Sequence, residues 1–382
     1  MMLAIIADNL TAPSETFIRD HAKLIAPDET IAIVRRESQG VLPPESTYLL
    51  ERAADIESTI LERIMQKAIR YILPPKVPQL GSNERMELMR ILDRNSVSAV
   101  LIEHGHVATE FCKTLHQEKV PFFVHFHGYD ANVLGDEARF KRAYVALFKQ
   151  ATGIIVASRF MAARIKLLGC HPTKINVVPM GIDTDFFSAT KRQPGPPRVV
   201  TVSRLTRQKG VRYAIESFAK VLQTMPHAKF DIVGDGPERK NLERWAADFG
   251  ISDKVVFHGA LPSTSVRDLL QSADLYIQHC VTIAGEGIEG LGISILEAMA
   301  CELPVIATSH GGLSETILPN CTGFLVNEYD TRQMAKHIIE LLDNRKFRCQ
   351  MGTAGRRRVQ ACYSQEASLQ KMRGALGWPR LA

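Results

Sequence analysis

At 382 residues, 45% hydrophobic and 23% charged, the chain has the composition of a globular protein and a length that suits two domains. No segment approaches the roughly 18 consecutive apolar residues of a membrane span. Scattered Gly and Pro and the lack of a repeat exclude collagen-like and low-complexity classes. The net charge of +6 is uneven: residues 1–190 hold 22 Lys and Arg against 22 Asp and Glu, whereas 345–382 hold nine basic residues against Glu366 alone. That basic end suits either an anionic membrane surface or a solvated helical face; no nucleic-acid motif accompanies it.

The start, MMLAIIADNL, reads as a first buried strand and not as a signal peptide. Strands are expected at 2–7, 30–35, 98–103, 121–126, 153–157 and 175–179, with helical patterns such as 136–150 and 159–168 between them. Near-continuous apolar runs such as GIIVA mark strands buried on both faces. This is the βαβ rhythm of a parallel sheet. Seven scattered cysteines without a CxxC pair read as small buried thiols in a reducing cytoplasm.

TKRQPGPP at 190–197 breaks the rhythm and reads as a linker. Strands then resume near 198–203, 229–233, 255–257, 274–278, 304–307 and 323–326. The expected fold class is therefore α/β, with two Rossmann-like domains facing across a cleft, 1–190 and 191–363. Ligands of such sheets bind beyond the carboxyl ends of the strands.

In the second domain, EGIEGLGISILEAMAC (286–301) places Gly290 and Gly292 before an apolar helix, where close backbone approach and free N–H groups suit a diphosphate. Glu297 lies about two turns into that helix among apolar neighbours, placed to accept hydrogen bonds from two vicinal hydroxyls. On residue types alone, Glu289 and Glu297 fit a surface salt-bridge role equally well. Arg204 and Lys209, in SRLTRQKG after a strand, suit phosphate oxygens. Gly234, Asp235, Gly236 and Pro237 could wall a nucleotide. FHGALPS, with Gly259 and Leu261, could meet a base edge through its backbone. In the first domain His125 and His127, in HFHGYD, point to one side of an extended segment. Asp130 could orient a neighbour. A metal pair is conceivable, but no third ligand is evident nearby.

SRLTRQKG, GDGP, FHGAL and EGLGISILEAMACELPVIATSHGGLSE, in this order and spacing, resemble family 4 of the retaining glycosyltransferases, which have the GT-B fold. The resemblance covers the second domain and most of the first. It implies that Arg204 and Lys209 hold the donor diphosphate and that Glu297 binds the ribose. Glu289 would contact the transferred sugar, with the amides of Gly290, Leu291, Gly292 and Ile293 supporting sugar and phosphate. His127 would hydrogen-bond the donor sugar beside its anomeric carbon, leaving His125 packed in its strand. His104, His106 and Asp130 would line the acceptor side, or the two histidines would be ordinary loop residues. TAPSETFIRD departs from the Gly-Gly pair of many members, a variant associated with bacterial exopolysaccharide and lipopolysaccharide enzymes; backbone near Thr16 could still reach phosphate. PMGIDTDFF resembles the exit from the first domain, and the helix at 364–379 would cross back onto that domain.

The expected activity is retaining transfer of a hexose from a nucleotide-sugar, UDP ahead of GDP, to a hydroxyl of a saccharide or lipid-linked saccharide. An epimerase, a sugar phosphorylase and a non-catalytic binding subunit are the alternatives. No metal or other cofactor is expected, because no Asp-x-Asp pair ends a strand and GIDTD reads as an interdomain turn. Location would be cytoplasmic, with peripheral membrane contact through the basic end.

Overall fold

The computed structural model describes residues 1–10, 16–36, 41–51, 77–190 and 195–378. It divides into two compact units, Met1–Val178 with Leu369–Ala382, and Pro179–Ser368. The changeover thus falls before residue 190, because the intervening segment is tied into the second unit. Arg356 donates to the carbonyls of Thr184 and Phe187, and Gln271 to that of Ser188. Of the linker at 190–197, residues 191–194 lie outside the described residues.

The first unit contains strands β1 (Met2–Ala7), β2 (Thr30–Val34), β3 (Thr47–Leu49), β4 (Val97–Glu103), β5 (Phe122–Phe126), β6 (Gly153–Val156) and β7 (Ile175–Val177). Among the described residues they form one sheet in the order β3-β2-β1-β4-β5-β6-β7, every pairing parallel. β1 shows why: Ala4 and Ile6 join the apolar layer on one face with Phe111 and Tyr144, while Leu3 and Ile5 join Ile18 and Ile25 on the other. A strand covered on both faces must be apolar at every position. β3 was not expected from sequence; it is a short, half-exposed edge without an apolar run.

The second unit holds β8 (Arg198–Val202), β9 (Lys229–Val233), β10 (Val255–Gly259), β11 (Leu275–Gln278), β12 (Val305–Thr308) and β13 (Gly323–Val326) in the order β10-β9-β8-β11-β12-β13, again parallel throughout. Both sheets have the doubly wound order, whose reversal points lie between β1 and β4 and between β8 and β11. The strand expectations hold, and each unit by itself is a parallel, Rossmann-like α/β sheet. No helix among the described residues is long and apolar enough to cross a membrane.

The last helix, Gln365–Leu376, ends in the first unit, where Met372, Leu376 and Trp378 complete the apolar layer beneath β1. Arg373 is buried there and donates to the carbonyls of Leu24 and Ile25.

Candidate active site

Beyond the carboxyl ends of β8 and β11, the second unit gathers most of the residues singled out in its sequence. Lys209 ends a short 3-10 turn after β8, and its ammonium is ion-paired with Glu289 in the loop after β11. Both side chains are largely buried. Burial alone would raise the Glu289 carboxyl, but Lys209 beside it and the amide of Leu291 hold it below the ordinary range. The same partner outweighs desolvation at Lys209 and raises its ammonium. Arg204 is exposed and close enough to Lys209 to oppose its charge.

The glutamate loop is braced from two neighbouring strands. His310, after β12, accepts the backbone N–H of Glu289 at 3.3 Å through Nε2, so its other nitrogen, Nδ1, carries the proton and donates to Glu328 at 2.8 Å. Glu328 in turn accepts the amide and hydroxyl of Thr282. Gly312 receives no side chain here for a steric reason: a Cβ would lie 1.9 Å from the carbonyl oxygen of Gly290. His310 and Glu328 were not recognised as site residues in the sequence; the signal available was TSHGGLSE, where a histidine and two glycines follow a strand.

Gly292 adopts φ +83°, a conformation that favours glycine, and starts helix Ile293–Ala300 without a side-chain cap. The first N–H groups of the helix therefore remain available to an anion. Ser294 in its first turn shares a 2.8 Å hydrogen bond with the buried Tyr276 of β11, which also donates to the carbonyl of Val202 at the end of β8. Glu297 is partly buried in the same helix and its carboxyl group makes no hydrogen bond or ion pair among the described residues; desolvation pushes that carboxyl up to about 7. The glycine turns after β9 and β10 are joined, Gly234 donating to the carbonyl of Gly259 at 2.8 Å. Leu261 follows, partly buried.

The first unit holds a second cluster. Glu103, the last residue of β4, is fully buried and faces three histidines. His21 Nδ1 lies 2.6 Å from its Oε1, while His125 Nδ1 and His127 Nε2 lie 3.1 and 3.0 Å from its Oε2. These contacts outweigh burial and keep the Glu103 carboxyl well below the ordinary range. Desolvation holds His125 and His127 below the ordinary histidine range, and therefore neutral. The sequence suggested no third potential metal ligand beside His125 and His127; the structure supplies two, His21 and Glu103. The ligand atoms of His21, Glu103 and His125 lie within 4.8 Å of one another.

His104 sits against His127, ring centroids 4.6 Å apart, at φ +75°, which is strained for a residue with a side chain. His106 lies beside His104. Asp130 does not line an acceptor surface. It is wholly buried and accepts the amides of Gly105, His127 and Ala131, so it anchors two helix starts. Thr16 begins helix Thr16–Leu24; Pro13, Ser14 and Glu15 lie outside the described residues.

The basic end divides in two. Arg348, Arg356, Arg358 and Arg373 donate to backbone carbonyls within their units. Arg345, Lys346, Arg357 and Lys371 are exposed, and Arg380 lies outside the described residues. None of the seven cysteines is in a disulfide, but Cys321 and Cys349 are exposed, so the expectation of buried thiols is corrected there: both lie on surface segments.

Residues 183–358 match the family described as glycosyl transferases group 1, and residues 46–186 match Glycosyltransferase Family 4. The putative colanic acid biosynthesis glycosyltransferase WcaL of Salmonella typhimurium is 31% identical over 217 residues, 56% of this chain and 53% of that protein. A GDP-mannose-dependent monoacylated alpha-(1-6)-phosphatidylinositol monomannoside mannosyltransferase of Corynebacterium glutamicum is 36% identical over 223 residues, 55% of this chain and 58% of that one. The chain spans little more than half the length of these curated relatives. Among solved structures, Anabaena HepE in complex with UDP superposes with a TM-score of 0.78 at 16% identity, covering 99% of this chain and all of that one.

Proposed function

Because this chain belongs to the family 4 glycosyltransferases of the GT-B fold, we propose that it transfers a sugar from a nucleotide-sugar donor to a hydroxyl of a saccharide or lipid-linked saccharide, in the synthesis of a surface polysaccharide. The observation that carries this reading is the Lys209–Glu289 ion pair beside the uncapped head of helix Ile293–Ala300. A departing nucleoside diphosphate develops negative charge that must be stabilised in the transition state. Lys209, Arg204 and the helix N–H groups are the cationic and polar groups at hand, and the helix head adds about half a positive charge. No metal is required in this scheme.

Glu289 is assigned to the transferred sugar and Glu297 to the ribose hydroxyls. Gly234, Gly236, Gly259 and Leu261 are assigned to the base and its surroundings. His127 is assigned to the sugar beside its anomeric carbon, and His104, His106 and backbone near Thr16 to the acceptor side. UDP is the first choice of carrier and GDP the second. HepE was solved with UDP, which favours the first, and the GDP-mannose dependence of the mannosyltransferase keeps the second in play. We place the protein in the cytoplasm, peripheral to the membrane.

The test is a panel of nucleotide-sugars scored by thermal shift and then by product formation. A true donor at 100 times its dissociation constant adds about 2.7 kcal/mol of stability, and the new anomeric proton should report the donor's own configuration. An inverted product, or turnover with inorganic phosphate and no nucleotide, would overturn the reading.

A further inference from the structure

The buried carboxylate of Glu103 has no part in the chemistry described above, yet three histidines converge on it. They come from three elements: His21 from helix Thr16–Leu24, His125 from within β5, and His127 from just beyond the end of β5. An ionised carboxylate only accepts hydrogen bonds, so each nitrogen facing it must carry a proton. For His127 that nitrogen is Nε2. A neutral imidazole has one N–H, so Nδ1 is left as a bare acceptor, and it has no hydrogen-bond partner among the described residues. His125 is in the mirror state, protonated at Nδ1 with Nε2 unpartnered. His125 is sealed off completely, whereas His127 keeps 9% of its surface. A buried acceptor without a donor costs about 1–3 kcal/mol. Nδ1 of His127 is itself buried in the unliganded chain, but its ring reaches the surface, so a small opening beside it would let an incoming hydroxyl relieve that cost.

Three of these side chains, His21, Glu103 and His125, could be read as a metal centre. The outer nitrogen of His125 argues against it. A histidine bound to a metal almost always donates its second N–H to an acceptor, and His125 Nε2 has none.

We propose that Glu103 is a positioning residue for sugar transfer: it fixes the His127 ring in the Nε2–H tautomer and so presents Nδ1 as the acceptor for a hydroxyl of the transferred sugar. This rests on the assignment of His127 to the sugar made above. His21 and His125 complete the coordination of the carboxylate and lock its two oxygens in place. The His104 ring, carried on a strained backbone, packs against the His127 ring and limits its movement.

The experiment begins with long-range proton–nitrogen NMR of the histidine rings in the unmodified protein near neutral pH, with His127 assigned by its absence in His127→Ala. The expected pattern is a protonated Nε2 and a bare Nδ1 at His127. Protonation at Nδ1 instead would overturn the proposal, whether or not any variant folds. Glu103→Gln, which keeps the shape but cannot accept three N–H groups alike, should lower kcat about 10–100-fold, with KM for the donor nearly unchanged. In a His127→Ala background the same substitution should change kcat by no more than about twofold. An equal loss in both backgrounds would mean that Glu103 only supports the fold. Parental turnover in His127→Ala would instead remove His127 from the reaction and so reject the underlying assignment. One equivalent of zinc in the purified protein, lost in His21→Ala, would replace the hydrogen-bonded cluster with a metal centre.

Discussion

The ammonium of Lys209 is ion-paired with the carboxylate of Glu289. The cation assigned to the leaving group and the carboxylate assigned to the sugar therefore neutralise each other before any donor arrives. A diphosphate must compete with Glu289 for Lys209. Glu289→Gln should free the ammonium, so that UDP alone binds as tightly as to the parent, or up to about tenfold more tightly. Turnover of the nucleotide-sugar should nevertheless fall about 10²-fold or more. Calorimetry with UDP and steady-state kinetics check the two halves. UDP binding that weakens beyond tenfold would move Glu289 from the sugar to the nucleotide.

Glu297 should give donor binding a pH dependence. Burial lifts its carboxyl to about 7, and under the ribose assignment the ionised form is the one that would accept two hydroxyls. From pH 8 to pH 6 the ionised fraction falls roughly tenfold, and UDP affinity should fall with it. In Glu297→Gln that slope should vanish and affinity should be weak throughout. Stability of the unliganded protein runs the opposite way. The folded state keeps the proton to about 7 against an ordinary value of 4.5, so stability declines as pH rises through this window. A parent whose UDP affinity is flat from pH 6 to 8 would reject the ribose assignment.

Chelation distinguishes the metal-free scheme from its usual alternative. EDTA should leave turnover almost unchanged. Lys209→Ala should lower kcat about 10²–10³-fold, and added Mg²⁺ should not restore it. Turnover that stops with EDTA and returns with Mn²⁺ would show that a divalent ion, and not Lys209 with the helix head, carries the leaving-group charge.

Membrane attraction, if it comes from the basic end, must come from its exposed members. Replacing Arg345, Lys346, Arg357 and Lys371 by Gln should abolish co-sedimentation with anionic vesicles at low salt, each contributing about 1 kcal/mol near such a surface. Arg358→Gln is the contrast. Its guanidinium donates to the carbonyls of Glu315 and Thr316, so the change should lower the melting temperature and leave sedimentation alone. Vesicle binding that survives the fourfold replacement would reject the electrostatic mechanism.

The strands were readable because parallel sheets covered on both faces write themselves as apolar runs, and β3 was missed because it is exposed and carries no such run. The connections after β8 and β11 were readable too, since Lys209, Glu289 and Gly292 stand in the segments that follow those strands, where polar residues or glycine interrupt the apolar pattern. The pairing of Lys209 with Glu289 was not, because 80 positions separate them and only the sheet order brings them together. Glu103 closes an apolar strand and looks like a residue turning to solvent. Nothing local says that His21, His125 and His127 surround it. Asp130 was misread for the converse reason: in sequence it stands in a polar loop, whereas in the fold backbone amides enclose it. The nine basic residues of 345–382 were countable, but their carbonyl partners were not.

The return of Leu369–Ala382 to the first unit has a consequence for biosynthesis. Met372, Leu376 and Trp378 belong to the layer under β1, and Arg373 satisfies carbonyls at the end of the first helix. A ribosome releases Met1–Val178 first, with that layer still open. The continuous segment Pro179–Ser368 follows and holds all of its own sheet, so it can close while translation is under way. The first unit is therefore completed only after the second has been made, and its apolar surface stays uncovered until Met372, Leu376 and Trp378 arrive.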